Sequence, residues 1–251
     1  MADIIGNCVV AHRGAHKHGP GSPNSMTAFK DAIKKGFAAF ECDVLLSKDE
    51  KVVVVHGPTT GCDGGRPDIP VHSSTYEELR RVSLSSGDFI PLLADVLQEV
   101  TKQDRTGIII EIKQTKNGKD LLLARKVCAL VHELKARGLV QYISFNYRQL
   151  LEVLKTDPTA RCSPIEGGAG HQSIKKDCRK KVSGYVKDGM WGVDFNSKKY
   201  NKTLVRECRR AGLRLNVWTV NRPKEMEKFK DWGFDFITTD EPEKCLEVMS
   251  L

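Results

Sequence analysis

Two acidic side chains interrupt an apolar stretch in the first fifth of the chain. Glu41 and Asp43 are two residues apart in the run 40–46, whose other residues are typical of a buried strand. Because side chains two positions apart on a strand point to the same face, both carboxylates lie on one face. Two buried like charges repel and are costly to desolvate, so a cation must lie beside them. A hard divalent cation, Mg²⁺ or Ca²⁺, suits these oxygen ligands best.

A second charged pair occupies a later apolar run. Glu111 and Lys113 share a face there, so a third carboxylate and a cation enter another strand that is otherwise apolar. The residue types leave two interpretations open. In one, Glu41, Asp43 and Glu111 are the ligands of one metal ion. In the other, the first two carboxylates form ion pairs with Arg13 or Lys113.

Two of the seven histidines stand where an apolar strand meets a loop. His12 follows the run 8–11, and His56 follows the run 52–55. Imidazole exchanges protons near neutral pH, so each of the two is a candidate acid or base, and such a pair is expected to titrate between pH 5 and 8. Residue types do not say which of them is the acid. The remaining histidines are expected to play no part in chemistry: His16, His18, His72, His132 and His171.

These groups need a scaffold that brings distant strands together. Hydrophobic patterns predict strands that alternate with helices. The predicted strands cover residues 8–12, 38–46, 107–113, 141–145, 161–165, 190–195, 214–220 and 234–238. A polar turn followed by the run 52–55 predicts a hairpin after the second strand. Eight strand–helix units in 251 residues match an α/β fold, a (β/α)₈ TIM barrel with a small β-hairpin and loop insertion after strand 2.

The barrel is favoured over one competing architecture, a doubly wound open sheet, because no glycine-rich phosphate fingerprint follows the first strand. No linker divides the chain, so residues 1–251 are interpreted as a single domain. Among the helices, the patterns predict one at 119–137 and a weaker one at 174–182. In a barrel, active sites lie at the carboxyl-terminal strand ends. The groups expected to meet there are His12, Arg13, Glu41, Asp43, His56, Glu111, Lys113 and Trp218, the last as a substrate wall or as core packing.

The charge of the chain bears on its partners. The formal net charge is +8, which favours anionic partners such as phosphate esters, a membrane surface or nucleic acid. No basic run is interleaved with aromatic residues, so nucleic acid is not expected. The eight cysteines include no C-x-x-C pair and are expected to be free thiols. With no signal peptide pattern and no membrane span, the chain is expected to be a reduced, cytoplasmic protein.

The order of these motifs resembles one enzyme family. The series is His12-Arg13-Gly14, Asn24-Ser25, Glu41-x-Asp43, Val53-Val54-Val55-His56, Ile90-Pro91-Leu92, Glu111-Ile112-Lys113, Ser144-Phe145, Val217-Trp218-Thr219-Val220-Asn221 and Thr238-Thr239-Asp240-Glu241-Pro242. In this order and spacing the chain resembles the glycerophosphodiester phosphodiesterase family of phosphatidylinositol-phosphodiesterase-like TIM barrels. Each motif is weak alone, but together they extend over essentially the whole chain.

The resemblance implies a role for each candidate residue. Glu41, Asp43 and Glu111 would bind one Mg²⁺ or Ca²⁺, and His12 and His56 would be the acid and base. Arg13 and Lys113 would contact the phosphate, with Trp218 at the substrate. The implied reaction cleaves a glycerophosphodiester to sn-glycerol 3-phosphate and an alcohol. A neighbouring glycerol hydroxyl would attack first, and water would then open the cyclic phosphate.

Three departures from the family pattern concern specificity. Pro23 replaces a usual Glu, Gly57 replaces the usual Asp after the second histidine, and the loop 61–66 is unusual. A His-Gly followed by a loop of Cys, Asp, Gly and Arg is similar to the sphingomyelinase D-type phospholipases D. Cleavage of lysophospholipids or other phospholipids is therefore an alternative. A barrel that binds phosphodiesters or anionic lipid without turnover is another.

The loop at 58–72 is expected to decide the substrate. It leaves the hairpin directly after His56 and must lie near the mouth of the site. Asp63, Arg66 and Asp68 are expected to grip a head group. The loop has no continuous apolar stretch for an acyl chain, so a deacylated, water-soluble glycerophosphodiester is the favoured substrate.

Overall fold

A closed parallel barrel forms the centre of the computed structural model, which describes residues 7–115, 118–167 and 177–250. The strands described in these ranges are β1 (Val9–Ala11), β2 (Ala39–Leu46), β3 (Val52–Val54), β4 (Gly107–Ile112), β5 (Val140–Ser144), β6 (Cys162–Glu166), β7 (Gly192–Asn196), β8 (Arg214–Trp218) and β9 (Phe236–Thr239). All except β3 run parallel, and β1 pairs with both β2 and β9, which closes the barrel. β3 returns antiparallel to β2. The predicted (β/α)₈ barrel with its hairpin insertion is confirmed.

Helices follow the barrel strands and surround them. The described helices are α1 (Met26–Lys34), α2 (Tyr76–Leu79), α3 (Leu93–Val100), α4 (Asp120–Glu133), α5 (Tyr147–Thr156), α6 (Cys178–Lys187), α7 (Lys202–Arg210), α8 (Pro223–Asp231) and α9 (Pro242–Ser250). The small α2 belongs to the insertion, and each other helix begins at the face where the preceding barrel strand ends. None of the helices in the described ranges combines the length and apolar character that a membrane crossing requires.

Two helices differ from their predicted bounds. α4 ends at Glu133 and not at residue 137, because Lys135 turns into the left-handed region at φ 57°. The N–H of Ala136 then donates back to the carbonyl of Val131, and this turn replaces the end predicted at Gly138. α6 continues past 182 to Lys187; its predicted start at 174 lies outside the described residues.

Alternating side chains of the strands build two separate apolar layers. On β2, Phe40, Cys42 and Val44 pack outward against the helices. The side chain of Ala39 and those two and four residues further on point into the barrel. The interior core is small and consists of Val10, Ala39, Ile109, Ile143 and Ile165, with Trp218 and Phe236 packed against it. The carboxylates of β2 therefore lie directly above an apolar floor inside the barrel.

All eight cysteines are free thiols, as the sequence predicts. Five are buried in the layer between barrel and helices, where they act as small apolar side chains: Cys42, Cys128, Cys162, Cys208 and Cys245. Burial raises the pKa of the Cys208 thiol to about 12, so that group is protonated and unreactive at neutral pH.

Candidate active site

Three carboxylates meet inside the mouth of the barrel. Glu41 and Asp43 point inward from β2, and the parallel register places Asp43 directly beside Glu111 of β4. One oxygen from each of the three carboxylates lies within 4.8 Å of the other two. Glu41 is 3% exposed and Asp43 is 1% exposed, whereas Glu111 is half-buried. The structure thus brings together the three residues that the sequence proposes as metal ligands.

Two cations lie against this cluster. Lys113 Nζ is 2.9 Å from Glu111 Oε1 and 3.2 Å from Asp43 Oδ1, and Arg13 Nε is 3.3 Å from Asp43 Oδ2. Glu41 makes no ion pair with a lysine or arginine among the described residues. It accepts a hydrogen bond from the backbone N–H of Arg13 at 3.1 Å. The ion-pair interpretation therefore holds for Asp43 and not for Glu41.

The pKa values of the three carboxylates reflect their burial and their mutual repulsion. Burial, and then the charges of Asp43 and Glu111, raise the pKa of Glu41 well above its usual value. Burial and the nearby Asp43 raise the pKa of Glu111 to about 7. Burial also acts on Asp43, but Lys113 and Arg13 outweigh it and lower the pKa of Asp43. Three carboxylates against two cations leave an excess of negative charge in a buried place.

The donor set fits a hard divalent cation. An ion with ligand distances of about 2.0–2.6 Å can bridge oxygens that lie within 4.8 Å of each other. All three donors are carboxylate oxygens, which Mg²⁺ and Ca²⁺ prefer, and no cysteine or histidine belongs to the cluster. The residues that would hold the ion are Glu41, Asp43 and Glu111.

Two residues beside the cluster have strained backbone conformations. Arg13 and Asn24 both have positive φ, 55° and 57°, in the left-handed region that glycine favours. The Asn24 amide donates to Asp43 Oδ2 at 3.0 Å, while its oxygen accepts from the backbone N–H of Asp43 at 3.2 Å. Such strain persists where surrounding contacts fix the conformation, and it is common at functional sites. Asn24 therefore fixes the orientation of the Asp43 carboxylate.

A carboxylate from the end of the barrel orients His12. Asp240 Oδ1 is 2.6 Å from His12 Nδ1, and Asn221 donates to the other oxygen of Asp240 at 2.7 Å. Burial acts to raise the pKa of Asp240, but hydrogen bonds with His12 and His16 lower it far below its usual value. His12 Nε2 is left facing the cluster, 3.9 Å from Glu41 Oε2. The sequence contained Asp240 in its last motif, but gave it no role.

A second carboxylate supports His56 from the insertion. The backbone N–H of His56 donates to Asp63 Oδ2 at 2.7 Å, and Asn24 lies 3.3 Å from the other Asp63 oxygen. Burial raises the pKa of Asp63 to about 6. Burial also lowers the pKa of His56 to about 4, although the charge of Asp43 opposes it. This pKa lies below the predicted range of pH 5 to 8.

The insertion loop uses its acids to hold itself together. A Cβ atom on Gly57 would lie 2.1 Å from Cys62 Sγ, so no side chain fits there. The carboxylate that contacts His56 comes instead from Asp63, seven residues later in the chain. Asp68 accepts a hydrogen bond from the backbone N–H of Gly61 at 2.7 Å. Asp63 and Asp68 each hold part of the protein's own backbone, and their contact with a head group stays a prediction.

The other histidines mostly lie away from this site. His72 is exposed, and His18 and His132 pair with carboxylates outside the cavity. His16 lies nearer to the site, with its Nε2 3.8 Å from Oδ1 of Asp240, the carboxylate that orients His12. His171 lies outside the described residues.

A cavity opens between the carboxylates and the opposite strands of the barrel. Its lining comprises His12, Glu41, Glu111, Ile143, Phe145, Ile165, Asp194, Trp218 and Thr238. Trp218 meets the ring of Phe145 edge-on at 5.8 Å, so it forms a wall of the cavity as well as packing on the core. Asp194 was missed from the sequence, since it is a lone acid in a strand with no charged partner nearby in sequence.

Comparison with known proteins shows what the chain is similar to. The chain matches the model of the Glycerophosphoryl diester phosphodiesterase family over residues 12–244. It is 28% identical to a glycerophosphodiester phosphodiesterase of Caldanaerobacter subterraneus subsp. tengcongensis, covering 96% of this chain and 97% of that protein. A crystal structure of a glycerophosphodiester phosphodiesterase from Parabacteroides distasonis is 29% identical, with TM-score 0.84 and coverage of 97% and 96%. An Oleispira antarctica phosphodiesterase, solved with the product sn-glycerol-3-phosphate, shares the fold at 18% identity and TM-score 0.85, with coverage of 98% and 97%.

Proposed function

The chain belongs to the glycerophosphoryl diester phosphodiesterase family, whose members are enzymes, and we propose that it hydrolyses glycerophosphodiesters to sn-glycerol 3-phosphate and an alcohol. One divalent cation, Mg²⁺ or Ca²⁺, would be its cofactor. The observation that carries the proposal is the cluster of Glu41, Asp43 and Glu111 beside two histidines, each of which has its own supporting carboxylate.

Phosphate binding is the proposed task of the two cations at the mouth. Lys113 and Arg13 both contact Asp43, so a phosphate beside the carboxylates lies within reach of an ammonium and a guanidinium group. Their charges would stabilise negative charge that develops on the phosphate oxygens. When bound, the divalent cation supplies further Lewis-acid stabilisation of that charge.

Proton transfer is the proposed task of the histidines. In the first step, His56 takes the proton of a neighbouring glycerol hydroxyl as that oxygen bonds to phosphorus. The bond from phosphorus to the alcohol oxygen breaks, and His12 gives this oxygen a proton. In the second step the roles reverse, and water opens the cyclic phosphate. Burial lowers the pKa of His56, which keeps its imidazole unprotonated and free to accept a proton, and Asp240 would stabilise an imidazolium at His12.

A groove beside the cavity favours a second substrate class, lysophospholipids or other phospholipids cleaved as by sphingomyelinase D-type enzymes. It shares Phe145 and Ile165 with the cavity and continues over Tyr147, Pro164 and Tyr185. These side chains offer an acyl chain an apolar strip, and charged side chains complete the lining: Glu166, Lys180, Lys181 and Asp188. Glycerophosphodiesters remain our first proposal, because the cavity itself holds charged and polar groups that suit a phosphate and a glycerol: His12, Glu41, Glu111, Asp194 and Thr238.

A substrate comparison tests this assignment. We expect kcat/KM for glycerophosphocholine, glycerophosphoethanolamine or glycerophosphoinositol to exceed that for lysophosphatidylcholine at least tenfold, under matched Mg²⁺ and Ca²⁺. Tenfold corresponds to about 1.4 kcal/mol of transition-state binding. A lyso-lipid that is preferred over every deacylated diester by the same factor would reverse the assignment.

Two further hypotheses concern binding. A barrel that only binds phosphodiesters or anionic lipid would give no product at any metal concentration. An anionic membrane surface is a possible additional partner, given the net charge of +8. Sedimentation with phosphatidylserine vesicles, compared with phosphatidylcholine vesicles, tests it; equal sedimentation with both would exclude a charge-driven interaction. Nucleic acid is not among the proposed partners.

A further inference from the structure

Two buried polar atoms on the wall of the cavity have no hydrogen-bond partner among the described residues. They are Oδ1 of Asp194, on β7, and the indole nitrogen Nε1 of Trp218, at the end of β8. The register pairs Asp194 with Asn216 and Asn196 with Trp218, so the two side chains project from neighbouring strands. Asp194 is 1% exposed, and both residues line the cavity that also holds His12 and two of the carboxylates.

Leaving such atoms unpartnered is costly. A buried donor or acceptor without a partner loses its hydrogen bonds to water and gains none in return, and native structures keep few of them. The indole N–H can only donate, whereas the Asp194 oxygen can accept a hydrogen bond. A group that both accepts and donates would satisfy the pair, and a hydroxyl does both. Two adjacent hydroxyls would satisfy each atom separately.

We propose that Asp194 and the indole N–H of Trp218 bind the hydroxyls of the glycerol moiety, and so decide which end of the diester enters the barrel. This inference rests on the proposed function, because a glycerophosphodiester carries two such hydroxyls next to its phosphate. With the phosphate at Arg13 and Lys113, the glycerol would point inward to Asp194. The leaving alcohol would then point outward, over Phe145 and the groove beyond it.

A buried unpartnered oxygen elsewhere in the barrel provides a matched control. Oε1 of Gln141 on β5 has no partner either, and Gln141 is 1% exposed. It does not line the cavity, and its amide donates to Ser163 at 3.1 Å. Gln141→Leu therefore removes the same kind of atom from the same barrel interior, without touching the glycerol site.

Calorimetric binding of three small phosphates, in the presence of Mg²⁺ or Ca²⁺, tests the inference without turnover. The probes are sn-glycerol 3-phosphate, propyl phosphate, which lacks both hydroxyls, and inorganic phosphate. We expect the wild-type protein to bind glycerol 3-phosphate at least tenfold more tightly than propyl phosphate. In Asp194→Leu and in Trp218→Phe this preference should fall below threefold. Propyl phosphate and inorganic phosphate should keep their Kd values within twofold, and Gln141→Leu should keep the full preference.

The outcomes separate the inference from the proposed function. A wild-type protein that binds both organic phosphates equally well would overturn the inference and leave the phosphodiesterase proposal standing. Asp194→Leu and Trp218→Phe variants that keep the full preference for glycerol 3-phosphate would have the same consequence. A wild-type protein that binds none of the three phosphates would contradict both. If near-UV circular dichroism shows that Asp194→Leu has not folded, Trp218→Phe decides alone, and its retaining the preference overturns the inference.

Discussion

Among single residues, Glu111 allows the most direct test of the carboxylate cluster. Glu111→Gln keeps the volume and removes one charge from the three that the cation would bind. We expect metal-dependent turnover to be lost at low metal concentration, because a neutral amide is a much poorer ligand for a hard cation. The measurement is kcat/KM as a function of Mg²⁺ and Ca²⁺ concentration.

The exposed Glu133 on α4 supplies the control for that variant. Glu133→Gln changes the net charge by the same amount, far from the cluster, and should leave the metal titration unchanged. Full activity of Glu111→Gln at low metal concentration would rule out a site built from three carboxylates. An equal loss in both variants would mean that the effect comes from overall charge.

The two histidines should behave as one unit. His12→Ala and His56→Ala should each lower kcat by about a hundredfold or more, since each removes a proton-transfer group. The double variant should be little worse than either single variant, because one missing transfer already stops the concerted step. His72→Ala, on an exposed side chain of the insertion, is the control and should keep its activity. Losses that multiply in the double variant would place the two histidines in separate steps.

The carboxylate cluster could be predicted from the sequence, but the side chains that support it could not. The two-residue period of a strand was enough to put Glu41 and Asp43 on one face. A buried pair of like charges then predicts a cation beside it. Asp240 supports His12 across 228 positions, and that contact exists only because β9 closes the barrel against β1. No local pattern encodes such closure. Asp63 was noted in the sequence as part of the loop, but its contact with a backbone N–H depends on the path of that loop.

At the scale of elements, Asp157 joins the end of α4 to the end of α5. It is the residue that caps α5, and its carboxylate receives hydrogen bonds from Arg137 at 2.7 and 2.8 Å and lies 3.0 Å from His132 Nε2. We expect Asp157→Asn to lower the free energy of unfolding by about 1.5–3 kcal/mol at pH 7, because bonds between charged groups are lost. Urea denaturation measures the change.

The pH dependence of that loss has a definite sign. Burial acts to raise the pKa of Asp157, but bonds from Arg137, Thr159 and His132 lower it below the usual 3.8. Its contribution is therefore complete above pH 3.8, and disappears as the pH falls toward the lowered value. The difference between wild type and Asp157→Asn should shrink at pH 3. A difference that grows there would contradict the assignment, and Glu77→Gln, on an exposed pair, should change little at either pH.

Element bounds were predicted best where glycine or apolar periodicity marked them. The eight barrel strands appear in the predicted order, since strands that are buried on both faces read as nearly continuous apolar runs. The end of α4 was placed four residues too late, because a lysine, Lys135, adopts the left-handed turn that Gly138 appeared to supply. The next residue, Ala136, is fully buried by packing that no local sequence pattern reveals.

At the scale of the whole molecule, basic side chains surround the mouth. Arg148, Lys180, Lys198, Lys199 and Arg222 are exposed near the starts of α5 to α8, where the barrel strands end. We expect this charge to attract anionic diesters, so kcat/KM should fall severalfold between low salt and about 0.5 M salt. The double variant Lys198→Glu with Lys199→Glu should weaken the salt dependence.

The opposite end of α7 provides the matched control for this prediction. Arg209→Glu with Arg210→Glu makes the same change in net charge at the far face of the barrel. If that pair alters the salt dependence as much as the mouth variants do, the effect comes from net charge and not from the rim. A kcat/KM value that does not respond to salt would exclude steering altogether.

The most direct test of the whole account is ³¹P NMR of glycerophosphocholine incubated with the protein. Chelator-treated protein should give no product, and adding Mg²⁺ or Ca²⁺ should convert the diester signal to that of sn-glycerol 3-phosphate. This result is expected because the buried Glu41, Asp43 and Glu111 cluster needs a cation to act on the phosphate. Undiminished turnover in excess chelator, or no product at any concentration of either metal, would contradict a metal-dependent glycerophosphodiester phosphodiesterase.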